Sequence, residues 1–179
     1  MSTTDPPVTL VVSIVTWRAA GLTLQCLRAL EAQVRADGGA RVIVVDNDSQ
    51  DGTAEKIEAE IGRQGWSSWL KLIRSPVNGG FAAGNNVAWR DAAHEHPGLK
   101  YLLLLNPDTI PHPDLLQAMR LFMDTHPKAG IVGGRCEDAD GTPQECAFRF
   151  PGLISEFADQ LRLGAFDRLV SGHLVRMGH

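Results

Sequence analysis

Residues 8–16 (VTLVVSIVT) form a nearly unbroken β-branched, apolar run. Such a run, without polar alternation, suits a strand buried on both faces, as inside a parallel sheet covered by helices. Parallel neighbours need long crossovers, so a chain that begins this way is expected to go on in strand–helix units.

The rest of the chain follows that rhythm. Leu22, Leu27, Leu30 and Val34 recur with helical spacing, and Gly38 and Gly39 then punctuate the chain. Residues 41–46 (RVIVVD) repeat the buried strand, and after a polar cluster from Asn47 to Thr53 a second helix runs to about Ile61. Residues 70–74 predict a third strand, 78–86 a glycine-rich loop entering a helix, and 101–106 a fourth strand at the centre of the sheet. Pro113 can open a helix whose apolar face is Leu115, Leu116, Met119, Leu121 and Phe122, ending at His126-Pro127. Residues 129–136 read as a further strand, Asp138 to Gly141 as a turn, and 144–150 as an antiparallel hairpin partner. A helix over 153–163 and a tail without a stop signal complete the chain.

Alternation of this kind predicts an α/β fold with a mostly parallel central sheet flanked by helices. At 179 residues one core is the default. The expected division is one domain over residues 1–150, followed by 151–179. A net charge of -4 without a Lys/Arg stripe argues against nucleic acid as a partner. Three cysteines, without paired spacing, read as reduced intracellular thiols rather than a disulfide framework. The N-terminus lacks a basic segment of the secretory kind. The longest apolar runs fall far short of the roughly 20 residues needed to cross a bilayer. The chain therefore reads as soluble and cytoplasmic, with peripheral membrane contact left open. Trp66 and Trp69 are expected to pack a helix–strand loop, exposed indoles near a membrane being the alternative. The histidines lack zinc-site spacing.

In open α/β sheets ligands bind outside the carboxyl ends of the strands. Those ends offer Thr16 and Trp17, Asp46, residues 75–80, and Asn106 to Asp108. Asp46 closes an apolar strand, where a carboxylate is costly without a donor such as the N3–H of uracil or thymine. Asp48 and Asp51 read equally well as turn and cap residues. Gly79, Gly80 and Gly84 permit close backbone approach, although glycine–asparagine loops are mostly turns. Asp108 suits a hard cation that takes the rest of its shell from a diphosphate, and it suits a turn aspartate equally well.

Taken in order, VVSIVTW, VIVVDNDSQDGT, NGGFAAGNN and LLLLNPD resemble glycosyltransferase family 2 enzymes of the GT-A fold, most closely the rhamnosyltransferase-like branch. The resemblance covers residues 8–149. It implies that Thr16 and Trp17 flank the base and ribose and that Asp46 pairs with the pyrimidine. It also implies that Asn78, Gly80 and Asn86 line the nucleotide and donor-sugar region. Asn106 and Asp108 stand where the family carries its Asp-x-Asp motif, so Asp108 would bind Mn2+ or Mg2+ bridging the phosphates of a dTDP- or UDP-linked sugar. Asn106 replaces the first carboxylate.

The implied activity is inverting transfer of a sugar, rhamnose by resemblance, to a glycan or lipid-linked acceptor in cell-envelope polysaccharide synthesis, with one acidic residue as general base. No segment carries that base: Glu137, Asp138 and Asp140 fall too early, and Glu156, Asp159 and Asp167 lack the expected surroundings. The acceptor-side region is expected to begin near or beyond the C-terminus, so the chain reads as truncated there. The alternative is a non-catalytic nucleotide-sugar-binding module. An oxidoreductase would place GxGxxG after the first strand, where this chain has Trp17 to Gly21 without that pattern.

Overall fold

The computed structural model describes residues 6–138 and 140–144. They belong to two compact units, one ending at Gly130 and the other beginning at Ile131.

The first unit is built on four strands: β1 (Leu10–Thr16), β2 (Ala40–Asp46), β3 (Leu70–Arg74) and β4 (Tyr101–Leu105). They lie in the order β3-β2-β1-β4, and every pairing is parallel. The crossovers are α1 (Ala20–Asp37), α2 (Thr53–Gln64) and α3 (Gly80–Glu95), and α4 (Leu115–Thr125) follows β4. Helix α1 ends at Gly38, whose N–H returns to the Val34 carbonyl, so the glycine stop legible in the sequence is real.

Every residue of β1 is buried, which is what its unalternating composition requires. On one face Leu10, Val12 and Ile14 pack with Leu27 and Leu30 of α1, Ile57 of α2 and Leu116 of α4. On the other, Val11 and Val15 pack with Ala88 and Ala92 of α3. Small residues on the inner face of α3 bring its backbone close to the sheet. Gly84 is the tightest point, because a Cβ there would lie 2.6 Å from Val15 Cγ1. Beside it, Ser13 Oγ donates to Asn85 Oδ1 at 2.7 Å, a buried polar tie between the middle of β1 and the first half of α3.

Trp66 and Trp69 are buried, with ring centroids 5.5 Å apart, so the packing reading holds and the exposed one does not. Their indole N–H groups have no hydrogen-bond partner among the described residues. The α1–α2 contact is held by Glu60, which accepts from Arg28 at 3.0 Å and also pairs with Arg63 and Gln64.

Strand β4 lies at the edge of the described sheet, no strand pairing with its outer side among the described residues, and Leu104 is 48% exposed. One expectation is corrected. Residues 129–136 form no strand. Gly130, Gly133 and Gly134 interrupt the apolar run, and glycine within a strand weakens it. What forms in the second unit is the turn itself: Gly141 N donates to the Asp138 carbonyl at 2.9 Å, and Glu137 and Pro143 make an isolated antiparallel bridge. The expected hairpin partner beyond Gln144 and the helix over 153–163 lie outside the described residues. Among the described residues no helix is long and apolar enough to cross a membrane.

Two outcomes follow from this packing. Gly84→Ala forces Val15 or α3 to shift, an overpacking cost of about 1–3 kcal/mol, measurable by denaturant unfolding. The Glu60 carboxyl is held down to about 2, first by its hydrogen bond from Arg63 and then by that from Arg28. A depressed carboxyl contributes stability that is fully present above its unfolded value and lost as pH falls through its folded value. Unfolding free energy is therefore expected to decline between about pH 4.5 and about pH 2, and Glu60→Gln should remove that part of the decline.

Candidate functional site at the carboxyl edge of the sheet

Parallel pairing sends all four strand ends to one edge. Register aligns Thr16 with Asp46 and Ile14 with Leu105, so Asp46 and the Asn106-Pro107-Asp108 turn flank the end of β1 on opposite sides. Two strand spacings separate them, about 10 Å at ~4.8 Å per spacing.

The polar groups at this edge are extensively tied to one another. Thr16 is fully buried, and its hydroxyl lies 2.8 Å from that of Thr23. Thr23 spends its own proton on the Ala19 carbonyl, so Thr16 is the donor of that pair. The Thr16 side chain therefore braces the start of α1. Its neighbour Trp17 is 50% exposed on the rim. The Arg18 guanidinium carbon lies 4.8 Å from the Trp17 ring centroid, a cation–π contact that puts positive charge at the same rim.

Asp46 is buried and already partnered within the protein. Ser49 Oγ donates to its Oδ1 at 2.5 Å and Ser49 N to its Oδ2 at 3.2 Å. Ser49 Oγ also accepts from Arg18 N at 2.9 Å, and Arg18 Nε donates to the Ser49 carbonyl at 3.1 Å. One serine thus locks the β1 and β2 ends together. Three non-glycine residues here, Arg18, Asp48 and Gln50, have positive φ (52°, 59° and 52°), a strained backbone that this hydrogen bonding holds in place. Asp51 accepts from Thr53 N at 3.0 Å and from its hydroxyl at 2.6 Å, a turn contact two residues on rather than a helix cap, the N-cap of α2 being Gly52.

On the β3 side, Asn78 reaches back to Asn47, and Gly80 opens α3 with φ of 79°, a left-handed conformation that glycine adopts without strain. Asn86 is exposed in the second turn of α3, lining a cleft of about 200 Å³ with Asn47, Ser75, Gly79, Val77 and Arg90. A larger hollow, about 480 Å³ between α1 and α4, lies at the opposite, amino edge of the sheet, where Arg120 binds Thr9 and Asp37; it has no part in this edge.

Beyond β4 the Asn106 carbonyl accepts from the Thr109 hydroxyl at 2.8 Å, closing the turn, while the Asn106 and Asp108 side chains are exposed and have no hydrogen-bond partner among the described residues. Beneath the turn lies Cys26, its Sγ 3.9 Å from the Asn106 carbonyl. Burial pushes that thiol up to about 11, with the Asp108 charge adding to the rise and the Thr109 hydrogen bond opposing it. Cys26 is thus a neutral packing group.

The sequence reading missed Asn47, Ser49 and Arg18. Their only sequence signal was membership of the polar runs after β1 and β2, where short side chains commonly bond the local backbone. No three His, Cys, Asp or Glu side chains among the described residues gather to hold a metal. A cation here would have one protein carboxylate, Asp108, and would need oxygens from its ligand.

Residues 11–151 match the family described as Glycosyl transferase family 2, and the chain belongs to that family. Solved structures of similar fold include S. aureus TarS 1-349, at 24% identity and TM-score 0.54, covering 66% of this chain and 33% of that one. Another is the mannosyltransferase PcManGT from Pyrobaculum calidifontis in complex with GDP-Man and Mn2+, at 21% identity and TM-score 0.55, again covering 66% and 33%. TarS 1-349 has also been solved in complex with UDP-GlcNAc, at 23% identity and TM-score 0.53, with 66% and 32% covered. At these identities the likeness establishes the GT-A fold. The chain spans about a third of the length of these structures. No curated protein matches it.

Proposed function

We propose that this chain is the nucleotide-sugar-binding part of a metal-dependent inverting glycosyltransferase. The observation that carries the reading is the placement of Asp46 and Asp108 on either side of the β1 end, beyond strands that lie about 10 Å apart, a span that one nucleoside diphosphate can bridge. Family membership and the ligands of the similar structures, UDP-GlcNAc in one and GDP-Man with Mn2+ in another, support it.

In this reading the base lies at Asp46. Ser49 supplies both of that carboxylate's protein contacts and fixes its direction, leaving lone pairs for a base N3–H. A pyrimidine base, as in a dTDP- or UDP-linked donor, provides that donor. Trp17 offers an exposed ring face to base or ribose, and Thr16 contributes by holding the end of β1 and the start of α1. Asn78, Gly80 and Asn86 border the donor side. Asp108, with Asn106 beside it, would hold Mn2+ or Mg2+ against the diphosphate; the cation's contribution is Lewis-acid stabilisation of charge on the departing nucleoside diphosphate. Its exposed carboxylate fits this role, and the lack of a further acid cluster among the described residues fits a shell completed by phosphate.

Rhamnose as the sugar, a glycan or lipid-linked acceptor, and work at the cytoplasmic face of the membrane complete the proposal; they rest on the rhamnosyltransferase-like sequence pattern. No general base is assigned. Asp138 and Asp140 are engaged with Gln144 and Thr142 in the turn of the second unit.

Asp108→Ala is expected to weaken Mn2+-dependent UDP or dTDP binding at least tenfold in calorimetry, with folding intact because the exposed side chain has no partner to lose among the described residues; unchanged affinity would refute the metal role. Asp46→Ala is expected to abolish preference for uridine over cytidine diphosphate, since cytosine N3 accepts where uracil N3 donates. Equal selectivity before and after the change rules out base pairing. Donor binding without sugar transfer or donor hydrolysis would instead identify a non-catalytic module.

A further inference from the structure

The stretch after β2 contains one buried side chain that no catalytic or binding role has absorbed. Asn47 is 3% exposed and occupies the junction of the three segments that make the edge. Its backbone N donates to the Thr16 carbonyl at 2.8 Å, continuing the β1–β2 ladder one step past the strands. Its side chain crosses to the loop before α3, where Nδ2 donates to Asn78 Oδ1 at 2.8 Å and Oδ1 accepts from Gly79 N at 3.3 Å. Asn78 Oδ1 in turn accepts from Gly80 N at 3.0 Å.

The orientation of both amides is dictated by their surroundings. Each faces a backbone N–H, of Gly79 for Asn47 and of Gly80 for Asn78, so each must turn an oxygen toward the loop. In that arrangement the bond joining the two side chains runs from Asn47 Nδ2 to Asn78 Oδ1, an oxygen shared with Gly80 N. The loop it holds has no side chains of its own at Gly79 and Gly80 to pack it in place, and glycine loses more conformational freedom on ordering than any other residue.

We propose that Asn47 is a positioning residue that clamps the Asn78-Gly79-Gly80 loop to the end of β2 and so fixes the first turn of α3 against the nucleotide site. The clamp stands on the hydrogen bonds alone; its effect on ligand binding rests on the function proposed above. The pair is asymmetric, and that makes it testable. Asn78→Asp keeps an acceptor for both Asn47 Nδ2 and Gly80 N. Asn47→Asp keeps the acceptor for Gly79 N but destroys the one donor and sets two oxygens against each other. Both variants add one negative charge beside the same loop, so their difference isolates the hydrogen bond from the charge.

The test uses the full chain and reads amide hydrogen exchange at Gly79 and Gly80 by NMR, together with UDP affinity in Mn2+. Asn47→Asp is expected to speed exchange at both glycines about tenfold relative to Asn78→Asp, the scale of one lost hydrogen bond, and to weaken UDP by a similar factor. Equal exchange in the two variants would overturn the clamp. Should Asn47→Asp fail to fold, Asn78→Ala serves instead: it removes the other half of the pair and is expected to speed Gly80 exchange to the same extent, and unchanged protection would overturn the proposal. Loss of the clamp without any change in UDP affinity overturns the positioning role. If the unaltered protein binds no UDP, the nucleotide reading fails, and the exchange data still decide whether the clamp exists.

Discussion

Burial of β1 on both faces is the constraint on which the rest depends. A strand with no solvent-facing side must be covered above and below, and α1, α2 and α4 on one side and α3 on the other do this. Close cover demands small residues on α3, hence Gly84 against Val15, and Ser13, a buried polar side chain in the middle of β1, needs its own partner, found in Asn85. Because neighbours of β1 pair in parallel, satisfying its core also brings every strand end to one edge.

That edge is where apolar packing stops and side-chain hydrogen bonding takes over. Ser49 ties the β1 and β2 loops through Asp46 and Arg18, and Asn47 ties β2 to the loop before α3. The Asn106-Pro107-Asp108 turn contrasts with them, its polar side chains exposed above a buried, neutral Cys26. One side of the edge is thus set in a fixed shape, while the other presents an uncommitted carboxylate, an arrangement suited to a rigid recognition pocket beside a ligand-completed cation site.

The strands and helices of the first unit were legible in the sequence because the strands are short apolar runs set between polar turns and the helices carry apolar residues at helical spacing, and residues 70–74 are an example where strand bounds coincide with those observed. Position within the sheet was less legible. The leucines of β4 suggested a central strand, yet whether both sides of a strand are paired depends on segments far along the chain. Residues 129–136 have the apolar content of a strand, but pairing rather than composition makes one, and their glycines weaken the case further. At the site, Asp46 and Asp108 stood out by their places at strand ends. Asn47, Ser49 and Arg18 did not, since their roles come from partners 31 positions away in sequence. Thr16 shows the converse: its strand-end position suggested ligand contact, while its hydroxyl is turned inward to Thr23.

The central claim is that a single nucleotide spans the end of β1, and the most direct measurement is a crystal structure of the protein soaked with UDP and Mn2+, with the manganese located by its anomalous signal. The account expects the metal at the Asp108 carboxylate, in contact with both phosphates, and the uracil at Asp46. Manganese bound elsewhere, or a nucleotide touching one of these aspartates and leaving the other out of reach, would contradict it.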